Sequence, residues 1–172
     1  MRLDTIIATL DRWLGALLDA MVVALAGLLL LLLNWAVFAR FVLNDSVSWG
    51  EELPAHLLAM LTFIGAAYLT RTNEHLGFDA VLRVMPAGLQ RAVTALNLIL
   101  MGGFGAMLAW YGGIAAASFA GRSLISIDAP MLLFRGAMPL GGALIALFCA
   151  TRLVGIVTGR IDPLDLLPES DA

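Results

Sequence analysis

The sequence predicts an all-α integral membrane protein of four transmembrane helices with interfacial amphipathic helices and both termini cytoplasmic. Three observations point there. The 172-residue chain is 61% hydrophobic and 13% charged, whereas a soluble domain is about half apolar and about a quarter charged. Its apolar residues gather into four stretches, each long enough to cross ~30 Å of hydrocarbon at ~1.5 Å per residue. Those stretches lack the period-two alternation of a barrel strand, which leaves helices as the way to satisfy the backbone in lipid. Residues 1–172 are expected to form a single membrane domain.

The elements follow in order. Over residues 3–18, Leu3, Ile6, Ile7, Leu10, Trp13, Leu14 and Leu17 share one helical face and Asp4, Asp11 and Arg12 another, the pattern of a helix lying in the interface. The first span, 20–39, is bracketed by Asp19 and Arg40. It is too long for a signal-peptide core and follows three acids, so it is expected to remain in the mature chain. The second span covers about 53–70. A second interfacial helix is expected near 76–86, where Phe78, Val81, Leu82 and Met85 repeat at i, i+3, i+4 and i+7 and Pro86 ends the pattern. The third and fourth spans, about 92–119 and 131–157, exceed the minimum length, so tilt or a protruding end is expected. Pro139 lacks an N–H and frees the carbonyl of Arg135, predicting a kink near one end of the fourth span. The acidic tail, 161–172, holds two prolines and is expected to fray.

Arginine placement sets the orientation. With the N-terminus inside, seven arginines (Arg2, Arg12, Arg71, Arg83, Arg91, Arg152, Arg160) face the cytoplasm and three (Arg40, Arg122, Arg135) face outward, as the positive-inside rule favours. The net charge of −3 gives no basic face for nucleic acid. One cysteine, Cys149, excludes an internal disulfide and a Cys-rich metal site.

Chemistry at depth is sparse. No Asp or Glu lies in the middle of any span, although ion and proton pathways usually need such groups there. The polar residues at depth are Asn34, His56, Thr62, Thr94 and Asn97, for which bonding between helices is the favoured role. His56 and His75 stand nineteen residues apart, ~28 Å along a helix. Two axial haem ligands within one subunit are therefore not expected, though a haem shared with another subunit needs just one. No cofactor, metal ligand set or catalytic residue is predicted.

Two features remain. Gly105, Ala109, Gly113 and Ala117 recur every fourth residue in the third span, as do Gly142, Ala146 and Ala150 in the fourth. Such small-residue ridges let helix backbones approach closely, within the subunit or against a partner. The other is RFVLNDSVSWGEEL, 40–53, which crowds Arg40, Asp45, Glu51 and Glu52 around Trp49. Ser48 and Glu51 have capping-box spacing, Glu51 and Glu52 suit a helix N-terminus, and Trp49 suits the membrane boundary. Pro54, placed in a second turn, would oppose helix stability unless a bend is wanted. Stability of the helix end and docking of an outer partner both fit this cluster.

RFVLNDSVSWGEEL, FIGAAYLTRTNEHLGFD and SIDAPMLLFRGAMPLGGAL, in this order on four spans, resemble the small membrane subunit (DctQ-like) of tripartite ATP-independent periplasmic (TRAP) transporters. The matching positions are Arg40, Trp49, Glu51, Glu52, Gly65, Ala66, Ala67, His75, Pro139 and Gly141. Met60 and Pro54 depart from the pattern. The resemblance implies a non-catalytic scaffold in the bacterial inner membrane. Its partners would be a large membrane subunit carrying sodium and substrate sites and a periplasmic protein that delivers an organic acid. The outer cluster Arg40, Trp49, Glu51 and Glu52 then becomes a candidate docking site. Two other readings stay open: a membrane anchor of a respiratory enzyme, resting on His56, and a small stand-alone carrier.

Overall fold

The computed structural model describes residues 2–72, 82 and 84–161, with side chains from Arg12 onward. His75 and the tail from 162 lie outside these residues, as does most of the interfacial helix expected at 76–86. The described elements are helices: α1 (Arg2–Phe41), α2 (Glu52–Thr72), α3 (Ala87–Ser118), α4 (Met131–Arg135) and α5 (Ala137–Val157). Four stretches are long and apolar enough to cross a membrane: Arg12–Phe41, Glu52–Thr72, Ala87–Ser118 and Met131–Val157.

The helices pack in a row. α1 lies on α2, α2 on α5, and α5 on α3, the last pair being the most extensive. Among the described residues no substantial contact closes α1 onto α3. α2 and α5 are therefore flanked on both sides, and α1 and α3 on one. Burial follows that order. Of the most apolar window of each span, 39% is buried in Met131–Val157 and 28% in α2, against 11% in α3 and 6% in α1.

The 40-residue α1 is unbroken, so the stretch expected to lie in the interface continues into the first span without a joint. The chain turns beyond it at Asn44, which takes a left-handed φ of 56°, tolerated by Asn better than by most residues. A turn over 48–51 runs straight into α2, with Leu53 N–H donating to the Trp49 carbonyl and Ala55 N–H to that of Glu51. Pro54 consequently falls in the first turn of α2, not the second. Its missing N–H is there among the donors that have no partner inside the helix, so Pro54 is compatible with a straight start.

The fourth span is interrupted at Gly136, between α4 and α5. Pro139 stands four residues after Arg135 and cannot donate to its carbonyl. That accounts for the break, and it leaves Pro139 in the first turn of α5. Opposite it, a Cβ on Gly112 of α3 would lie 3.0 Å from Met138 Cγ and 3.2 Å from Pro139 N.

Candidate functional site

The membrane interior holds packing rather than chemistry. Ala67 of α2, Leu98 of α3 and Ile145, Cys149 and Ile156 of α5 form one buried cluster. Between α3 and α5 the backbones nearly touch. A Cβ on Gly105 would lie 2.8 Å from both Ala146 N and the Gly142 carbonyl oxygen. One on Gly142 would lie 2.7 Å from both Ala109 N and the Gly105 carbonyl oxygen. The neighbouring Gly141 meets α2 instead, its added Cβ falling 2.5 Å from the Phe63 carbonyl oxygen. Two adjacent glycines, separated by ~100° around the helix, thus let α5 approach a different neighbour on each side. In lipid, where helices gain nothing from escaping water, such close van der Waals contact is what holds them together.

The ridges meet over part of their length. Gly105, Ala109, Gly142 and Ala146 lie at the seam, whereas Gly113 has open space and Ala117 and Ala150 are exposed. The helical period explains this. A four-residue step overshoots one turn by ~40°, so three steps turn Ala117 by ~120° from Gly105. Gly112 and Ala116, at offsets of seven and eleven, return to the seam and are the buried pair. Gly65 of α2 is half-buried with nothing within 4 Å of an added Cβ.

Of the polar residues at depth, Asn34, Thr62 and His56 bond within their own helix. Asn34 Nδ2 donates to the Leu30 carbonyl at 2.7 Å and Thr62 Oγ1 to that of Leu58 at 2.8 Å, both in exposed settings. Asn97 is exposed, and Thr94 Oγ1 is enclosed without a hydrogen-bond partner among the described residues. The bonding between helices expected of these side chains is not what the subunit displays. His56 Nδ1 lies 2.8 Å from the Glu52 carbonyl oxygen, and its ring stands edge-on to Phe134 with centroids 5.6 Å apart.

At the end of the bundle that carries the α1–α2 turn the two adjacent glutamates part company. Glu52 turns inward to the loop between α3 and α4. Its Oε1 accepts from Ile125 N–H at 3.1 Å, and its Oε2 from Ser126 N–H at 2.8 Å and Ser126 Oγ at 2.6 Å. Three donors on one carboxylate, one of them a short hydroxyl, make a strong clamp. The loop is also closed on itself, with Leu124 N–H to the Ala129 carbonyl and Met131 N–H to that of Arg122. Leu124 is buried with Leu57 and Phe134. Glu51 faces solvent at 93% exposure, 3.8 Å from Arg40 Nη1, itself 64% exposed. Trp49 is half-buried in the turn that carries both acids.

The opposite end is tied by arginines. Arg152 of α5 donates from Nη1 to the Thr70 carbonyl and from Nη2 to the Arg71 carbonyl. It caps the last turn of α2, where carbonyls lack helical partners and the dipole favours a cation. The Arg71 guanidinium lies over Gly15 of α1, in space that a side chain there would occupy. Gln90 of α3 is buried, and its Nε2 donates to the Leu82 and Met85 carbonyls at 2.9 and 3.0 Å. The residues of these ties are remote in sequence or lack a motif, so sequence reasoning did not single them out.

The fold and its ties thus define a multi-pass helical membrane protein whose polar ties between elements, among the described residues, lie at its two ends. Residues 29–159 match the family described as tripartite ATP-independent periplasmic transporters, DctQ component. The chain belongs to this family of TRAP small permease subunits, which are transport components and not enzymes. It is similar to the ectoine TRAP transporter small permease protein TeaB of Halomonas elongata, with 33% identity over 93 residues, covering 53% of this chain and 47% of that protein. It is also similar to the C4-dicarboxylate TRAP transporter small permease protein DctQ of Pseudomonas aeruginosa, with 26% identity over 133 residues, 74% of this chain and 63% of that one. The protein of the same description from Vibrio cholerae is 28% identical over 65 residues, 38% of this chain and 28% of that one. The matched stretches thus span less than two thirds of these relatives' lengths. The resemblance drawn from the ordered motifs holds, and the respiratory-anchor reading of His56 gives way to it.

Proposed function

We propose that this small permease subunit is the non-catalytic scaffold of a sodium-coupled TRAP transporter in the bacterial inner membrane. It has both termini in the cytoplasm, and it helps import an organic acid delivered by a periplasmic binding protein. The observation that carries this reading is the absence of any Asp or Glu from the middle of the four spans. Sodium and a carboxylate substrate need polar and charged ligands at depth, and these would come from a large membrane subunit. The small subunit contributes a row of helices pinned at both ends, by Glu52 and by Arg152. α1 and α3 leave long apolar faces uncovered, which suits packing against lipid or the large subunit. Relatives are named for ectoine and for C4-dicarboxylate; in this reading substrate choice belongs to the partner chains.

Of the outer cluster, Arg40 and Glu51 are the exposed charges suited to docking, and Glu52 is the internal clamp. Charge reversal at Glu51 should impair uptake while both membrane subunits stay associated, as measured by co-purification. Reconstitution tests the main proposal. Proteoliposomes holding this chain, the large subunit and the binding protein should take up solute on a sodium gradient, and those holding this chain alone should not. Uptake by the chain alone would establish a stand-alone carrier instead.

A further inference from the structure

A second group of outer residues plays no part in that reading. Arg122 and Arg135 both address one ring, that of Phe119, with Cζ 5.5 and 4.2 Å from its centroid. Both arginines are exposed, and neither is ion-paired with a carboxylate among the described residues. The ring face attracts each cation. An anion would gain far more from either guanidinium, and the planar fork of Arg suits a phosphate oxygen pair.

Two helices act as rulers for the depth of this pair. α5 has 21 residues and begins just after Arg135 and Gly136. α2 also has 21 residues and begins at Glu52, whose carboxylate holds Ile125 and Ser126. Each helix is ~31 Å long, the thickness of the hydrocarbon core. Laid across a bilayer, helices of that length put Arg135 and the loop tip near one edge of that core, the outer one in the orientation proposed above, the level at which headgroup phosphates begin. At the same level Ile125 is 96% exposed, a large aliphatic side chain with nothing over it. Part of the loop's polar backbone is bonded to Glu52 and across its own neck, which lowers the cost of bringing the loop against lipid.

We propose that the loop between α3 and α4 is a lipid anchor. Arg122 and Arg135, gathered on Phe119, bind the phosphodiester of a phospholipid headgroup in the outer leaflet, and Ile125 enters the adjoining interface. The anchor is separate from Arg40 and Glu51 and does not depend on the transporter's substrate.

The test uses the complete membrane complex in nanodiscs of phosphatidylethanolamine and phosphatidylglycerol. An Ile125→Cys variant in a Cys149→Ala background carries an environment-sensitive fluorophore. Lipids brominated near the top of the acyl chain should quench it, and aqueous iodide should quench it poorly. Native mass spectrometry should show phospholipid retained by the wild type and retained about thirtyfold less by Arg122→Gln/Arg135→Gln, as expected for losing two cations at the membrane surface. Arg122→Lys/Arg135→Lys, which keeps the charge and loses the fork, should fall between them. Strong iodide quenching without bromolipid quenching would overturn the proposal, whether or not the double variant folds. Unchanged lipid retention in a folded double variant would overturn it too. Shielding of the fluorophore from iodide by added soluble binding protein would mark the loop as a protein-docking surface and overturn it as well.

Discussion

α5 and α1 are comparably apolar, yet they are held in opposite ways. α5 sits between two neighbours and touches both through glycine, Gly141 on α2 and Gly142 on α3, at distances that leave no room for a methyl group. Among the described residues α1 leans mainly on α2. Gly27 has nothing within 4 Å of an added Cβ, and Trp13, Val23, Leu30, Leu31, Trp35 and Phe41 stand exposed. Apolarity therefore identifies a helix that crosses lipid but says little about where it packs. In a membrane, small residues and terminal polar ties decide that.

Substitutions can break this contrast or sharpen it. The largest effect is expected at the seam. Gly142→Leu must push α3 and α5 apart against backbone atoms, at a cost of roughly 3 kcal/mol, measurable as lost stability in detergent. Gly27→Leu adds the same atoms where there is open space and should change the isolated subunit's stability by less than about 0.5 kcal/mol. Equal losses at the two positions would break the distinction between central and flanking helices.

Next in size is Arg152→Leu, which strips a charged donor from the last carbonyls of α2. A loss of about 1.5–2 kcal/mol is expected, with faster amide exchange confined to the end of α2. Glu52→Gln should free the loop between α3 and α4. Amide exchange at Ile125 and Ser126 should rise about tenfold or more as local opening becomes easier, while Glu51→Gln leaves those amides unchanged. The smallest effect belongs to Arg40 and Glu51, where a double-mutant cycle should give a coupling of at most about 0.5 kcal/mol, as for other exposed pairs.

Much of the fold was legible in the sequence, for a physical reason. The apolar length needed to cross a bilayer is a local property, and all four spans announced it. The break beside Pro139 was legible for the same reason, because a missing N–H acts on a carbonyl four residues away. Three things were hidden. The four-residue ridges were extended too far, since ~40° of drift per step carries Gly113 and Ala117 off the seam, where Gly112 and Ala116 take over. Polar residues at depth were expected to join helices, but Asn34 and Thr62 each reach the carbonyl of their own preceding turn. The roles of the two glutamates depended on a loop 74 residues away, and adjacency in sequence gave no hint of which acid would turn toward it. The N-terminal stretch expected to feed into the first span does so within one continuous helix.

The central claim is that this subunit supplies structure to a transporter whose solute path lies in another chain. The most direct measurement is gentle purification from native membranes followed by mass spectrometry of what accompanies the protein. The account predicts a large multi-pass membrane subunit in fixed proportion to this chain. Recovery of this chain by itself, or with the subunits of a haem-bearing enzyme, would contradict it.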